Sequence, residues 1–465
     1  MTAAGLAGRG AAQPFAPGAL DLLIGVAVAA LALLVGALLA VSPQLALGAV
    51  VLAAAPMLAL SPLARLSYLI FGAVLVFQSS SEASAVKAAY LAGFAIALCA
   101  AAGSLRRSAP LHPRLPGLIA SCLGLAALVA LTLPVALLNG TSSLDWARDA
   151  FAYLLFATAP VFAVDAALRL RRTVVERIFL TAATLATASF VVTWLARRGF
   201  GQLELSRLAF ASFLFPIAVV AYSVSRALWP GRWRLVWAAA AAAVTLGMLA
   251  TATRASLVVI IALSVALAVA PVAPASKLVG LAALAASVSA LALLALRGGV
   301  FADVVDVPAA VGRLSTITSA STDPSRDFSL LARQAQTRAS LELFRSSPLL
   351  GHGLGYPIEW EAPRDAFGAR FHSTSYLVDS PAGFLAKLGV VGVLAMGAVL
   401  VQLARLVVTA EARASAAGTA LIAFGVSAAA WSALQTPFDD KGLALAVLLL
   451  LALLLHDLRA GPERP

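Results

Sequence analysis

The sequence predicts an all-α polytopic membrane protein, with about 12–14 transmembrane helices and one large, partly helical loop before the last three. Three observations predict it. Apolar runs long enough to cross a bilayer recur along the chain. Only 12% of residues are charged while 62% are hydrophobic, and the mean hydropathy is +0.96; a soluble domain carries roughly a quarter charged residues. A single long interval, Arg297 to Ser380, departs from this pattern with arginines, carboxylates, and clustered Gly and Pro. Helices follow because a backbone in lipid must satisfy its own hydrogen bonds. The runs lack the alternation of membrane barrel strands.

In order, the spans fall near 19–41, 44–60, 64–78, 86–103, 116–138, 148–168, 175–195, 206–226, 233–251, 254–271 and 276–296, then 381–406, 415–434 and 442–456. The first run is long enough to span and follows no cleavage pattern, so it reads as a retained helix. The second and third are short and separated by Ser61-Pro62, which leaves the count open within its range. Three units result: 1–296, an N-terminal helix bundle; 297–380, the large loop; and 381–465, three C-terminal helices.

Charge orients the chain. The net charge is +12, yet Arg297 to Ser380 holds eight arginines and nine carboxylates, so the excess lies in the other loops. One alternating set carries Arg106, Arg107 and Arg114, then Arg169, Arg171, Arg172 and Arg177, then Arg226, Arg232 and Arg234, then Arg405 and Arg413, then Arg459 and Arg464. The opposite set holds SSSEAS (79–84), NGTSSLDWARD (139–149) and QTPFDDKG (435–442). Basic loops stay cytoplasmic, so both termini are expected there and the large loop outside. This is membrane topology rather than a nucleic-acid patch, and no nucleic-acid partner is expected. Arg197, Arg198 and Arg207 fall on the outer side against the rule. Cys99 and Cys122 sit in apolar runs and read as small core residues.

Most groups capable of chemistry lie in the loop. Asp327-Phe-Ser329 can cap a helix through Leu330 to about Phe344, ended by Ser-Ser-Pro348. On it Arg338 has Glu342 four residues on, which suits surface pairing, whereas Arg333 has no carboxylate three or four positions away. Arg254 in TATRAS opens an outer helix end without an acidic neighbour, and Arg207 in LELSRLAF opens another. Snorkelling to headgroups is the plainer role for both. Together with Arg333 they also suit a pyrophosphate clamp, because guanidinium meets phosphate oxygens in a bidentate manner.

The run Gly351-His352-Gly353-Leu354-Gly355 lacks the Lys-Ser/Thr of a nucleotide loop and reads as a tight turn. His372, in RFHSTSYL, stands just before the next span, where an imidazole could accept a proton from a sugar hydroxyl. Asp379 is the rival base, with His352 in reserve. Metal-ligand spacing is absent, so no metal is expected.

The topology resembles that of the O-antigen ligase and O-antigen polymerase superfamily. The resemblance is carried by TATRAS (251–256), the arginine-bearing helix running into SSPLLGHGLG (346–355), and HSTSYL through FLAKLGVVG (372–392). The turn and Gly389-Val-Val-Gly392 match the family pattern. Ser373 replaces the usual Asn, and His372 lies farther from Gly389 than the family's histidine does, so His372 and Asp379 both stand as the base. The resemblance implies an inner-membrane glycosyltransferase with a periplasmic loop, acting in lipopolysaccharide or exopolysaccharide assembly. It would move a glycan from undecaprenyl pyrophosphate to a hydroxyl of lipid A–core or of another lipid-linked repeat. Neither metal nor other cofactor is implied. Membrane lipids and other polysaccharide-assembly proteins are the implied neighbours. By this resemblance Arg207, Arg254, Arg333 and Arg338 would hold pyrophosphate. The alternative is a transporter or flippase of lipid-linked saccharides, but no internal repeat of the kind common in transporters is evident.

Overall fold

A computed structural model describes residues 54–76, 85–107, 111–196, 214–229, 233–250, 263–265, 267, 285, 328–361, 371–374, 381–432 and 441–460. The proposed spans 19–41, 44–60, 254–271 and 276–296 lie wholly or mostly outside these residues, as do Arg197, Arg198, Arg207, Arg254 and Asp379. Within them the chain is α-helical and polytopic, as the sequence predicts. Four helices are long and apolar enough to span a membrane, or five if a bent pair counts as one.

The helices run α1 (Pro62–Val76), α2 (Ala85–Ala102), α3 (Leu115–Leu138), α4 (Ser143–Arg169), α5 (Arg172–Ala196), α6 (Leu214–Leu228) and α7 (Arg234–Ala250). Then come α8 (Phe328–Ser346), α9 (Ala382–Val407), α10 (Ala410–Arg413), α11 (Ala416–Ser432) and α12 (Lys441–Ala460). An antiparallel ribbon, β1 (Ile358–Glu361) with β2 (Phe371–Thr374), joins α8 to α9. The helix and turn of the loop follow expectation; the ribbon is an addition to it.

Helices α4 and α12 pack together at the centre. Both are apolar around their middle turns, as in a helix enclosed by others, and α4 is buried along nearly its whole apolar length. Its start is set by Ser142, whose Oγ accepts from the Asp145 amide at 3.0 Å, with Asp145 in the first turn. Helix α3 lies against α4 through Leu115, Leu118, Cys122, Leu125, Val129, Thr132 and Ala136, spaced by three and four residues. Its opposite side exposes Leu123 and Leu131, as a lipid-facing surface does. Cys122 is therefore core as expected; Cys99 is not, because α2 turns it outward.

One end of the bundle is held by buried charge. We call it the basic end. Asp165 of α4 takes Arg65 Nε at 2.8 Å, Ser104 Oγ at 2.7 Å and Arg169 Nε at 3.3 Å. Arg65 also donates to the carbonyls of Leu58 and Ala59, both at 3.0 Å, which end the short helix before the break at Ser61-Pro62. That pair of helices bends by 119°, the Ser61-Pro62 break seen in the sequence. Nearby, Arg172 meets Asp457 at 2.9 Å, and Glu176 gathers Tyr222, Arg172 and Arg226. Several arginines read as loop charge are thus structural ions, since an uncompensated charge at membrane depth is costly.

Candidate functional site

At the opposite end, which we call the turn end, the loop is built into the bundle. Helix α9 breaks at Gly389, where φ is +61° and ψ is −164°. A regular helix would pair the Val390 and Val391 amides with the carbonyls of Ala386 and Lys387. Instead Val390 N–H donates to Pro348 O (2.9 Å) and Val391 N–H to Leu349 O (3.2 Å). The two carbonyls released accept from His352 N–H (2.9 Å) and Gly353 N–H (3.0 Å). The turn Pro348–Gly353 is spliced into the rungs that the helix gives up, so its position is set by backbone bonds rather than by loop packing.

Close approach explains the glycines. A Cβ on Gly389 would strike the Leu349 carbonyl, and one on Gly355, at φ +78°, would stand 2.5 Å from the Asp145 carbonyl carbon and the Trp146 nitrogen. The Gly355 amide donates to Asp149 Oδ2 at 2.8 Å, and the same oxygen lies 2.7 Å from Lys387 Nζ. Both side chains are about 2% exposed, so the ion pair sits in the interior, joining α4, α9 and the turn. The pairing keeps each charge compensated where water cannot reach. Asn139, just past α3, donates to His352 O at 3.0 Å and ties the turn to a third helix.

His352 is held from several sides. Its ring packs 4.8 Å from Tyr356, its Nε2 lies 3.2 Å from Ser346 Oγ, and its Nδ1 is buried without a hydrogen-bond partner. Ser346 ends α8, so the histidine is tied directly to the helix that carries the loop arginines. That helix separates the two arginines the sequence grouped. Five residues apart, Arg333 and Arg338 differ by about 140° around the axis. Arg333 shares its face with buried Gln336 and Ser340, and its Nε is itself buried without a partner. Arg338 points outward and is exposed, as is Glu342. The expected helix, Leu330 to about Phe344, is observed as Phe328–Ser346.

His372 lies on β2 opposite Trp360, the two rings stacked 5.5 Å apart at 16°. Trp360 packs, with Ala339 and Leu343 of α8, against the buried pair Ile358 and Ala386, which seats the ribbon on α8 and α9. His352 and His372 thus meet different sides of the α8 platform, one at its end and one above its flank. Asp149 and Lys387 were missed by sequence reasoning. The signal was present as a lone lysine inside an apolar span and an aspartate near the start of another.

The fold and site define a polytopic α-helical membrane protein with a polar loop built into its helices at one end. Residues 238–397 match the family model described as O-antigen ligase, a stretch that includes most of α7, all of α8, the ribbon and the Gly389 splice. The match covers about a third of the chain and shows that this stretch is similar to the O-antigen ligase family. No curated protein matches it.

Proposed function

We propose that the chain is a glycosyltransferase of the ligase or polymerase type, acting at the periplasmic face of the inner membrane. The observation that supports this most is the splice of the PLLGHG turn into α9, within a stretch that matches the O-antigen ligase family. It gives a rigid seat at membrane depth to a loop carrying an arginine with a buried, unpartnered Nε. Such a seat suits a reaction whose donor is itself held in the bilayer.

In the proposed reaction the anomeric C–O bond to undecaprenyl pyrophosphate breaks, and a new bond forms to an acceptor hydroxyl of lipid A–core or another lipid-linked repeat. The hydroxyl proton passes to a general base, and the pyrophosphate leaves with the bonding electrons. Arg333, with Arg207 and Arg254, would stabilise the charge that develops on the leaving group. Arg338 is moved to the margin of this set by its outward face. His372 or Asp379 would take the proton; His372 already has its ring fixed by Trp360.

The test is transfer by the purified protein in liposomes, using a synthetic polyprenyl-pyrophosphate glycan and a glycan acceptor. Formation of a glycosidic product, lost in Arg333→Ala, is the expected result. Movement of the donor across the bilayer with no new glycosidic bond would instead make the chain a flippase.

A further inference from the structure

We propose that Leu349 and Leu350 form a wedge inserted into the lipid leaflet at the turn end. These side chains are 68% and 47% exposed at the tip of the spliced turn, although the loop they belong to is otherwise polar. They are not isolated. Leu349 O accepts from Val391 N–H and Pro348 O from Val390 N–H, which sets the tip directly beside the exposed Val390 and Val391 of α9. Exposed Leu137 and Leu138 close the end of α3, and Gly353 packs on Ala136 just below them. The tip therefore continues the lipid-facing surfaces of two membrane helices.

Depth supports the same occupant. Arg405, exposed near the end of α9, accepts through its carbonyl from Arg114 at the start of α3, a pairing that marks the basic-end boundary. Gly389 stands sixteen residues from Arg405, roughly 24 Å along the helix. The hydrocarbon core is about 30 Å thick, and Ala136 under the turn stands roughly 33 Å from Arg114 along α3, so the tip lies near the far boundary.

Irregular backbone is tolerated there only where its polar groups are satisfied within the protein. Most of the turn's groups meet that condition. Pro348 has no amide hydrogen, its carbonyl and that of Leu349 serve α9, and Gly351 N–H bonds Ser347 O while Ser347 Oγ–H donates to Gly351 O at 2.8 Å. His352 and Gly353 amides and the His352 carbonyl are likewise bonded. At the tip the Leu349 and Leu350 amides, without a partner among the described residues, accompany the two hydrocarbon side chains. A wedge of this kind fixes the depth of His352 and of the α8 terminus relative to the headgroups, whatever the reaction.

The experiment is spin labelling of Leu349→Cys in a Cys99→Ala, Cys122→Ala background, in lipid nanodiscs, with relaxation by oxygen and by an aqueous nickel chelate. Leu394, exposed in the middle of α9, gives the lipid reference, and Glu359, exposed on β1, the aqueous one. The expected oxygen-to-nickel ratio at 349 is that of Leu394, several-fold above Glu359. A ratio equal to that of Glu359 overturns the wedge, and so does protection from both relaxants, which would mean a protein covers the tip. Leu350→Cys repeats the measurement should the first variant fail to fold. The readout is independent of catalysis, so it stands or falls apart from the proposed transfer.

Discussion

The basic end and the turn end both bury charge, but they distribute it differently. At the basic end Asp165, Glu176 and Asp457 are shared among Arg65, Arg169, Arg172 and Arg226, and hydroxyls of Ser104 and Tyr222 complete the arrangement. Among the described residues, the turn end concentrates its buried charge in one close pair, Asp149 with Lys387, and relies on exchanged backbone bonds for the rest. Shared networks tolerate the loss of a member, because a remaining partner still compensates the buried charge. A close pair coupled to a splice does not. The contrast separates a region that holds helices together from one that holds a loop at a defined place, as a reactive site requires.

The largest expected effect comes from breaking the pair. Lys387→Met removes the close cation from the buried Asp149 carboxylate, a loss of about 3–5 kcal/mol, measurable as a lower midpoint of thermal unfolding in detergent. Adding Asp149→Leu should restore much of that stability, while the splice, short of the Gly355 anchor, stays loosened. If the double variant is no more stable than the single one, the carboxylate is not what destabilises it. Gly389→Ala should cost somewhat less, about 1–3 kcal/mol from backbone strain alone, with an added clash on the Leu349 carbonyl. It should lower transfer and stability together.

Smaller effects test the chemistry. Arg333→Ala should reduce transfer by about 10²-fold or more, as removal of a charge-stabilising group does, with thermal stability nearly unchanged. Arg338→Ala, on the outward face, should stay within a few-fold of the parent chain; equal losses in both would erase the distinction that α8 draws between them. At the basic end, Arg169→Gln is expected to have the smallest effect. Its side chain is 43% exposed and Arg65 remains on Asp165, so at most about 1 kcal/mol should be lost.

Much of the bundle was legible because burial in lipid writes itself into local composition. The runs at 116–138 and 381–406 differ from α3 and α9 by a residue at their ends. Ser61-Pro62 marked a real break. The arginine helix was legible from its closing Ser-Ser-Pro, and the helical period alone is enough to set Arg333 and Arg338 on different faces. What escaped notice depends on contacts between distant segments. Asp149 and Lys387 lie on different helices, and nothing local to either names the other. PLLGHGLG and GVVG were both seen, yet that one supplies the bonds the other lacks is a matter of three-dimensional register. The ribbon pairing Trp360 with His372 is two strands of four residues, too short for alternation to stand out.

Hydrogen–deuterium exchange in nanodiscs addresses the splice most directly, by following peptides that cover 348–355 and 387–393. The exchanged bonds require the His352, Gly353, Val390 and Val391 amides to be protected together and, in Lys387→Met, to lose protection together. A turn that exchanges at the rate of a free loop while 387–393 stays protected would contradict it.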